Sequence, residues 1–184
     1  NLYWLSQNTS DLHKHYIQTA DIDASSTAYW DAGAGFSPIG SGPPSFDGSY
    51  NGNGYTIDGL TINRPAMNNV GLFSIVSNAT IQDLSVTNVD ITSNGSVGGL
   101  VGSFRQSSII SNCYSSGSVD APGGYGVGGL VGHANQTFIS NSYSTVNVIG
   151  YGKSGGLVGE CAYSTFISNS YSTGNVIGVY YTGG

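Results

Sequence analysis

A five-residue motif returns along the second half of the chain, and its spacing constrains the fold more than any other feature. Gly98-Gly99-Leu100-Val101-Gly102 recurs as Gly128-Gly129-Leu130-Val131-Gly132 and as Gly155-Gly156-Leu157-Val158-Gly159. Val70-Gly71-Leu72-Phe73 is a degenerate copy. The central leucines, at positions 72, 100, 130 and 157, are 28, 30 and 27 residues apart. A second motif follows each time. Ile110-Ser111-Asn112-Cys113-Tyr114-Ser115 becomes Ile139-Ser140-Asn141-Ser142-Tyr143-Ser144, then Ile167-Ser168-Asn169-Ser170-Tyr171-Ser172, with degenerate copies starting at Ile81 and Ile57. Self-similarity at a fixed period marks a repeat array.

The residues decide between a helical repeat and a β-coil. The segments are short, rich in Val, Ile, Thr, Tyr and Ser, and separated by Gly and Asn, which is strand-and-turn chemistry. Helix formers are nearly absent from the repeats. A coil of about 28 residues holds three short strands, expected near 97–101, 107–111 and 113–119, stacked on their equivalents at about 4.8 Å. Leu60, Leu84, Cys113, Ser142 and Ser170 share one phase; Ile62, Val86, Ser115, Ser144 and Ser172 share another, two residues on. Alternation turns both phases inward, so the core shrinks from Leu and Val to Ser and Cys and the later coils flatten. Tyr114, Tyr143 and Tyr171 then face outward. Asn112, Asn141 and Asn169 fall at a corner where their amides can form a ladder. The expected fold is all-β, a parallel β-helix of about six coils, roughly 30 Å long.

Composition sharpens the functional reading. Net charge is −6 with four scattered basic residues, which cannot neutralise a row of phosphates, so nucleic acid is excluded as a partner. No apolar run approaches the length of a membrane span. No basic-then-apolar leader is present, so a signal peptide is expected to be removed or to lie outside this sequence. The charge-poor Gly/Ser/Asn/Thr/Tyr composition suits a secreted or cell-surface protein. Cys113 and Cys161 fall at different phases of the repeat and are expected to be free.

Gly-Gly-Leu-Val-Gly followed by Ile-Ser-Asn-Ser-Tyr-Ser-Thr-Gly-Asn-Val resembles the GLUG repeat of large bacterial surface and secreted proteins. These include filamentous-haemagglutinin-like adhesins and the N-terminal region of immunoglobulin A-specific metallopeptidases. The lead-in 16–23, 36–40 and 46–57 is similar as well, so the resemblance covers roughly residues 14–178. It implies a right-handed parallel β-helix in an extracellular setting and no catalytic activity. A His-Glu-x-x-His motif is absent, and Glu160 is the only glutamate.

Residues 1–15 do not fit the repeat. Leu2, Leu5 and Leu12 predict a short amphipathic helix capping the first coil, since an open strand row invites aggregation; the alternative is an arm that pairs with another molecule. The solenoid then occupies 16–184, with irregular first coils over 16–56 and regular repeats over 57–184. Residues 24–52 are expected as a long loop anchored by Trp30 and Phe36. Past Tyr180-Tyr181, either the natural chain runs on or this end docks. Leu2, Tyr3, Trp4, Tyr180 and Tyr181 are therefore candidate joint residues for end-to-end self-association, a heterologous contact that can propagate into a filament.

Polysaccharide cleavage needs clustered carboxylates and a basic residue beside them. Here Asp21, Asp23, Asp31, Asp47, Asp58, Asp83, Asp90, Asp120 and Glu160 are dispersed, and Arg64 and Arg105 lie in different coils. Asp21 and Asp23 could hold a cation or simply a turn. His13, His15 and His133 lack zinc spacing. No catalytic residue, metal ligand or cofactor is expected. The candidate binding feature is the column Tyr114, Tyr143, Tyr171, read as a flat aromatic strip for a host or matrix glycan or protein, or as plain strand surface. The expected function is a non-enzymatic structural and adhesive module. The alternatives are a self-assembling filament subunit and a carbohydrate-binding or carbohydrate-active β-helix.

Overall fold

The computed structural model describes residues 2–183. Asn1 and Gly184, the outer limits expected for the cap and the solenoid, lie outside the described residues. Parallel strands wind into a β-solenoid of about 5 turns with about 29 residues per turn. One coil shows the plan. Ser96–Gly98 leads into Val101–Arg105, then Ile109–Ser111, then Tyr114–Ala121. Each strand pairs in parallel with its equivalents in the coils before and after. The chain therefore makes four strands per coil, not three. Gly99 and Leu100 form a bend that splits the first expected strand in two, and Leu100 points into the core, fully buried.

The sheet through Ile109–Ser111 has six rungs, while the one through Val101–Arg105 has four. That difference turns the expected six coils into about five. In the first coil residues 24–48 contribute two short 3-10 segments, Ser25–Tyr29 and Asp31–Gly33. Isolated bridges Ile39↔Phe73 and Phe46↔Val76 stand in for the missing strands. Phe36 is buried and Trp30 packs half-buried against the core. Arg64 ties this loop down by donating to Asp31 Oδ2 at 2.8 Å and to the carbonyls of Gly35 and Phe36 at 3.0 Å each.

The register of the earliest copy also differs from the expected one. Ile57 pairs with Val86, Ile62 with Ile91, and Tyr50 with Ile81. Leu60 and Ile62 therefore do not share the phases of Leu84 and Val86. The turn after Tyr50 is the cause. Gly52 lies against Leu84, where a Cβ would stand 2.6 Å from the Leu84 Cα, so the backbone itself fills the place the alignment gave to Leu60.

The inward columns narrow as expected. Phe36, Phe46 and Phe73 fill the early coils, and the fully buried column that starts at Ile57 and Val86 passes to Ser115 and Ser144. Ser115 Oγ donates to the Gly129 carbonyl at 2.8 Å, and the missing side chain of Gly129 leaves room for Ser144. A Cβ on Gly132 would sit 2.5 Å from the Val97 nitrogen and 2.7 Å from the Gly102 carbonyl oxygen. Two sheets thus touch backbone to backbone, which only glycine permits. The expected amide ladder at the corner is not made among the described residues. Asn112, Asn141 and Asn169 have φ of 53°, 49° and 48°, a left-handed conformation that Asn tolerates. The backbone amides of Asn112 and Asn141 donate to the carbonyls of Ser140 and Ser168 in the next coil, and the one cross-coil side-chain bond of the column among the described residues is Asn112 Nδ2 to Asp83 Oδ1 at 2.9 Å.

At the other end, Leu2–Gln7 is helical and buries Leu2 and Leu5, with Leu12 buried behind them. Cys113 is buried and Cys161 exposed, both free.

Candidate functional site: the outer aromatic columns

Tyr114, Tyr143 and Tyr171 open their strands just past the Asn corner and stand in register, with Ser85 below them. Ring centroids are 4.4 Å apart for Tyr114–Tyr143, with planes 27° apart, and 5.2 Å for Tyr143–Tyr171, with planes 9° apart. Near-parallel rings this close are offset-stacked. Each ring therefore covers much of its neighbour's face. The column is not the flat strip expected from the sequence; it presents ring edges sideways and one open face, that of Tyr171. Exposure follows suit, from half-buried Tyr114 to 36% at Tyr143 and 57% at Tyr171. Tyr114 Oη is fixed to Thr145 Oγ1 at 2.8 Å.

Two further columns escaped the sequence reading. Ile109, Phe138 and Phe166 stand in register on the neighbouring sheet, all exposed, and the two Phe rings stack at 5.5 Å and 10°. Their signal was present: each is the residue immediately before the motif isoleucine. Tyr125, Tyr151 and Tyr180 form a third column of edge-to-face contacts at 6.1 and 5.4 Å. Its sequence signal is weak because the residues lie in the variable stretch between motifs.

The candidate joint residues fall at the two ends. Leu2 is buried, so it belongs to the cap's core, while Tyr3, Trp4, Tyr180 and Tyr181 are exposed. Tyr3 meets Trp30 edge-on at 5.5 Å, and Tyr180 rests against Tyr151.

Asp21, Asp23, Asp58 and Asp83 serve turns and rungs. Asp21 Oδ1 accepts from the Thr56 amide at 2.8 Å, and Asp23 Oδ1 from the Ser25 amide at 2.9 Å. The hydrogen bonding at Ser25 holds the Asp23 carboxyl below its usual value. Asp58 accepts from Asn88 Nδ2 at 2.7 Å across one coil. His15 Nδ1 is engaged with Ser49 Oγ at 2.8 Å. Burial pushes the Cys113 thiol up to about 12 and lowers the His133 imidazole. Among the described residues no group of three or more His, Cys, Asp or Glu side chains could hold a metal ion, and no helix is long and apolar enough to cross a membrane.

Comparison with known proteins places this geometry. The GLUG motif matches residues 93–120, which bears out the resemblance read from the repeats. The chain is 38% identical over 136 residues to halomucin of Haloquadratum walsbyi, covering 72% of this chain and 1% of that protein. It is 43% identical over 93 residues to a protein named as a Gly-rich membrane protein in Evansella cellulosilytica, covering 48% of this chain and 10% of that one. The chain thus spans a small part of either relative. A crystal structure from Bacteroides ovatus, described as an immunoglobulin A1 protease, superposes with a TM-score of 0.61 at 18% identity, over 92% of this chain and 68% of that one. That likeness shows the shared fold alone.

Proposed function

We propose that this chain is a non-enzymatic, surface-associated module that stacks GLUG coils into a rigid rod and holds aromatic columns outward for adhesive contact. The observation that carries the reading is the pair of in-register columns on adjoining sheets, Tyr114/Tyr143/Tyr171 and Ile109/Phe138/Phe166, which leave large apolar groups exposed on successive coils. Contiguous exposed apolar surface marks an interaction site, and a glycan or protein of a host or matrix is the partner. The relative named as a membrane protein supports a cell-surface or secreted setting. The engagement of Asp21, Asp23, Asp58 and Asp83 in turns and between coils supports a non-enzymatic role. The test is retention on immobilised glycans and matrix proteins of the wild type and of Tyr171→Ala and Phe166→Ala. Wild-type retention that falls about tenfold in the variants, with unchanged circular dichroism, is the expected result. Equal retention by all three proteins, or none by the wild type, refutes the reading.

The exposed aromatics at both ends support a second reading, a subunit of a filament joined through Tyr3 and Trp4 at one end and Tyr180 and Tyr181 at the other. Electron microscopy across a concentration series tests it: regular filaments support end-to-end joining, and dispersed particles at every concentration exclude it.

A further inference from the structure

Between the N-terminal helix and the first coil lies a cavity of about 500 Å³. Its wall is part aromatic and part aliphatic. Trp30 meets Tyr3 at 5.5 Å and Phe36 at 6.4 Å, Trp4, Tyr16 and Tyr50 add further rings, and leucine and isoleucine side chains complete the apolar surface. The polar groups of the floor are already engaged. Buried Gln18 donates Nε2 to the carbonyls of Ala20 at 2.8 Å and Thr56 at 3.1 Å, and its Oε1 accepts from Tyr50 Oη at 3.1 Å. Buried Thr27 donates its hydroxyl to the Ala24 carbonyl at 2.6 Å. A ligand that needs directed hydrogen bonds, such as a sugar, finds little free on this floor.

Among the described residues, the only charged ones lining the cavity are Asp21 and Asp23, both exposed. Each uses Oδ1 for a backbone amide and keeps its negative charge for the mouth. The nearby basic side chains are held elsewhere: Lys14 on Asp11 at 2.7 Å and Arg64 on Asp31 at 2.8 Å. An anion is therefore repelled. A cation with diffuse charge and an apolar skin is favoured twice, by the ring faces and by the two carboxylates, and it asks for no hydrogen bonds. Aromatic cages bind quaternary ammonium groups on this basis.

We propose that this cavity binds a quaternary ammonium or similarly alkylated amine, with the methyl groups against Trp30 and its neighbouring rings and the charge toward Asp21 and Asp23. The chain has two tryptophans, Trp4 and Trp30, and both line the cavity, so intrinsic emission reports on this site. The experiment titrates the whole protein with choline, and in parallel with its uncharged isostere 3,3-dimethyl-1-butanol and with sodium chloride at matched ionic strength. A saturable change in tryptophan emission with choline, at an affinity at least about tenfold above the isostere's, is the expected result. Asp21→Asn and Asp23→Asn keep the Oδ1 acceptor while removing the charge, so the fold survives, and the double variant lowers choline affinity about tenfold. Equal binding of choline and the isostere, an undiminished affinity in the double variant, or no saturable response overturns the proposal.

Discussion

A methyl group on Gly129 would collide with Ser144 Oγ and with the Gly156 carbonyl oxygen. Ser144 lies across the same coil and Gly156 in the next one, so the damage would spread along the stack. Gly129→Ala is expected to destabilise the fold by about 2–3 kcal/mol through overpacking. Gly42→Ala, at a glycine with nothing within 4 Å of the added carbon, should leave the urea midpoint where it is. Comparable midpoints for the two variants would show that the second motif glycine is not a packing requirement. His133 belongs to the same scale. Burial lowers its pKa below the usual 6.5, as do Arg105 and Lys153, against the raising effect of Glu160. As pH falls the unfolded chain takes up this proton first. The stability tied to the neutral ring is therefore full above 6.5 and is lost as pH falls below it, through the folded value. His133→Gln should show a smaller drop in melting temperature between about pH 7.5 and pH 5 than the wild type; an equal drop would place the acid sensitivity elsewhere. Inward Ser115 and Ser144 were legible from alternation alone. The tilt of the tyrosine rings was not, because it depends on side-chain torsions and on how closely each coil presses its neighbour.

The elements differ in how much of them the motif spacing disclosed. A repeated Ile-Ser-Asn-x-Tyr-Ser locates strand, corner and strand, because Asn takes the left-handed turn and the flanking residues alternate in and out. The extra bend at Gly99-Leu100 was hidden, since Gly-Gly-Leu-Val-Gly reads equally as one strand or as two joined at an angle. The register near Ile57 was hidden for another reason. Tyr50 fills the column that later coils give to isoleucine, and a turn rather than a strand residue faces Leu84. The aromatic cavity joins Trp4, Asp21 and Trp30, which no local pattern links. The N-terminal helix was legible from Leu2, Leu5 and Leu12. At six residues it is too short to be stable alone, so its packing on the first coil holds it. Leu5→Ala should cost about 2–4 kcal/mol and loosen this cover. Light scattering should then show association of the uncovered strand edge. A variant that melts like the wild type and stays dispersed would show that the helix does not protect that edge.

Across the whole molecule the two ends of the stack are unequal. In a quasi-one-dimensional array each coil is stabilised mainly by the coils beside it. The first coil has a second neighbour in the helix Leu2–Gln7 and carries Phe36 and Phe46 at its centre. In the last coil the inward position held by Ile110 and Ile139, at 0% and 1% exposure, passes to Ile167 at 42%. Leu157 and Val158 are likewise only half-buried, against fully buried Leu130 and Val131. The small inward Ser170 and Ser172 add little apolar contact there. Opening of the 184-residue chain should therefore start at this end. Amide hydrogen exchange in 158–178 should be at least about tenfold faster than in 85–121, with protection falling coil by coil rather than in a single step. Uniform protection along the chain would mean that the coils open only together, and slowest exchange in 158–178 would reverse the order that this packing dictates.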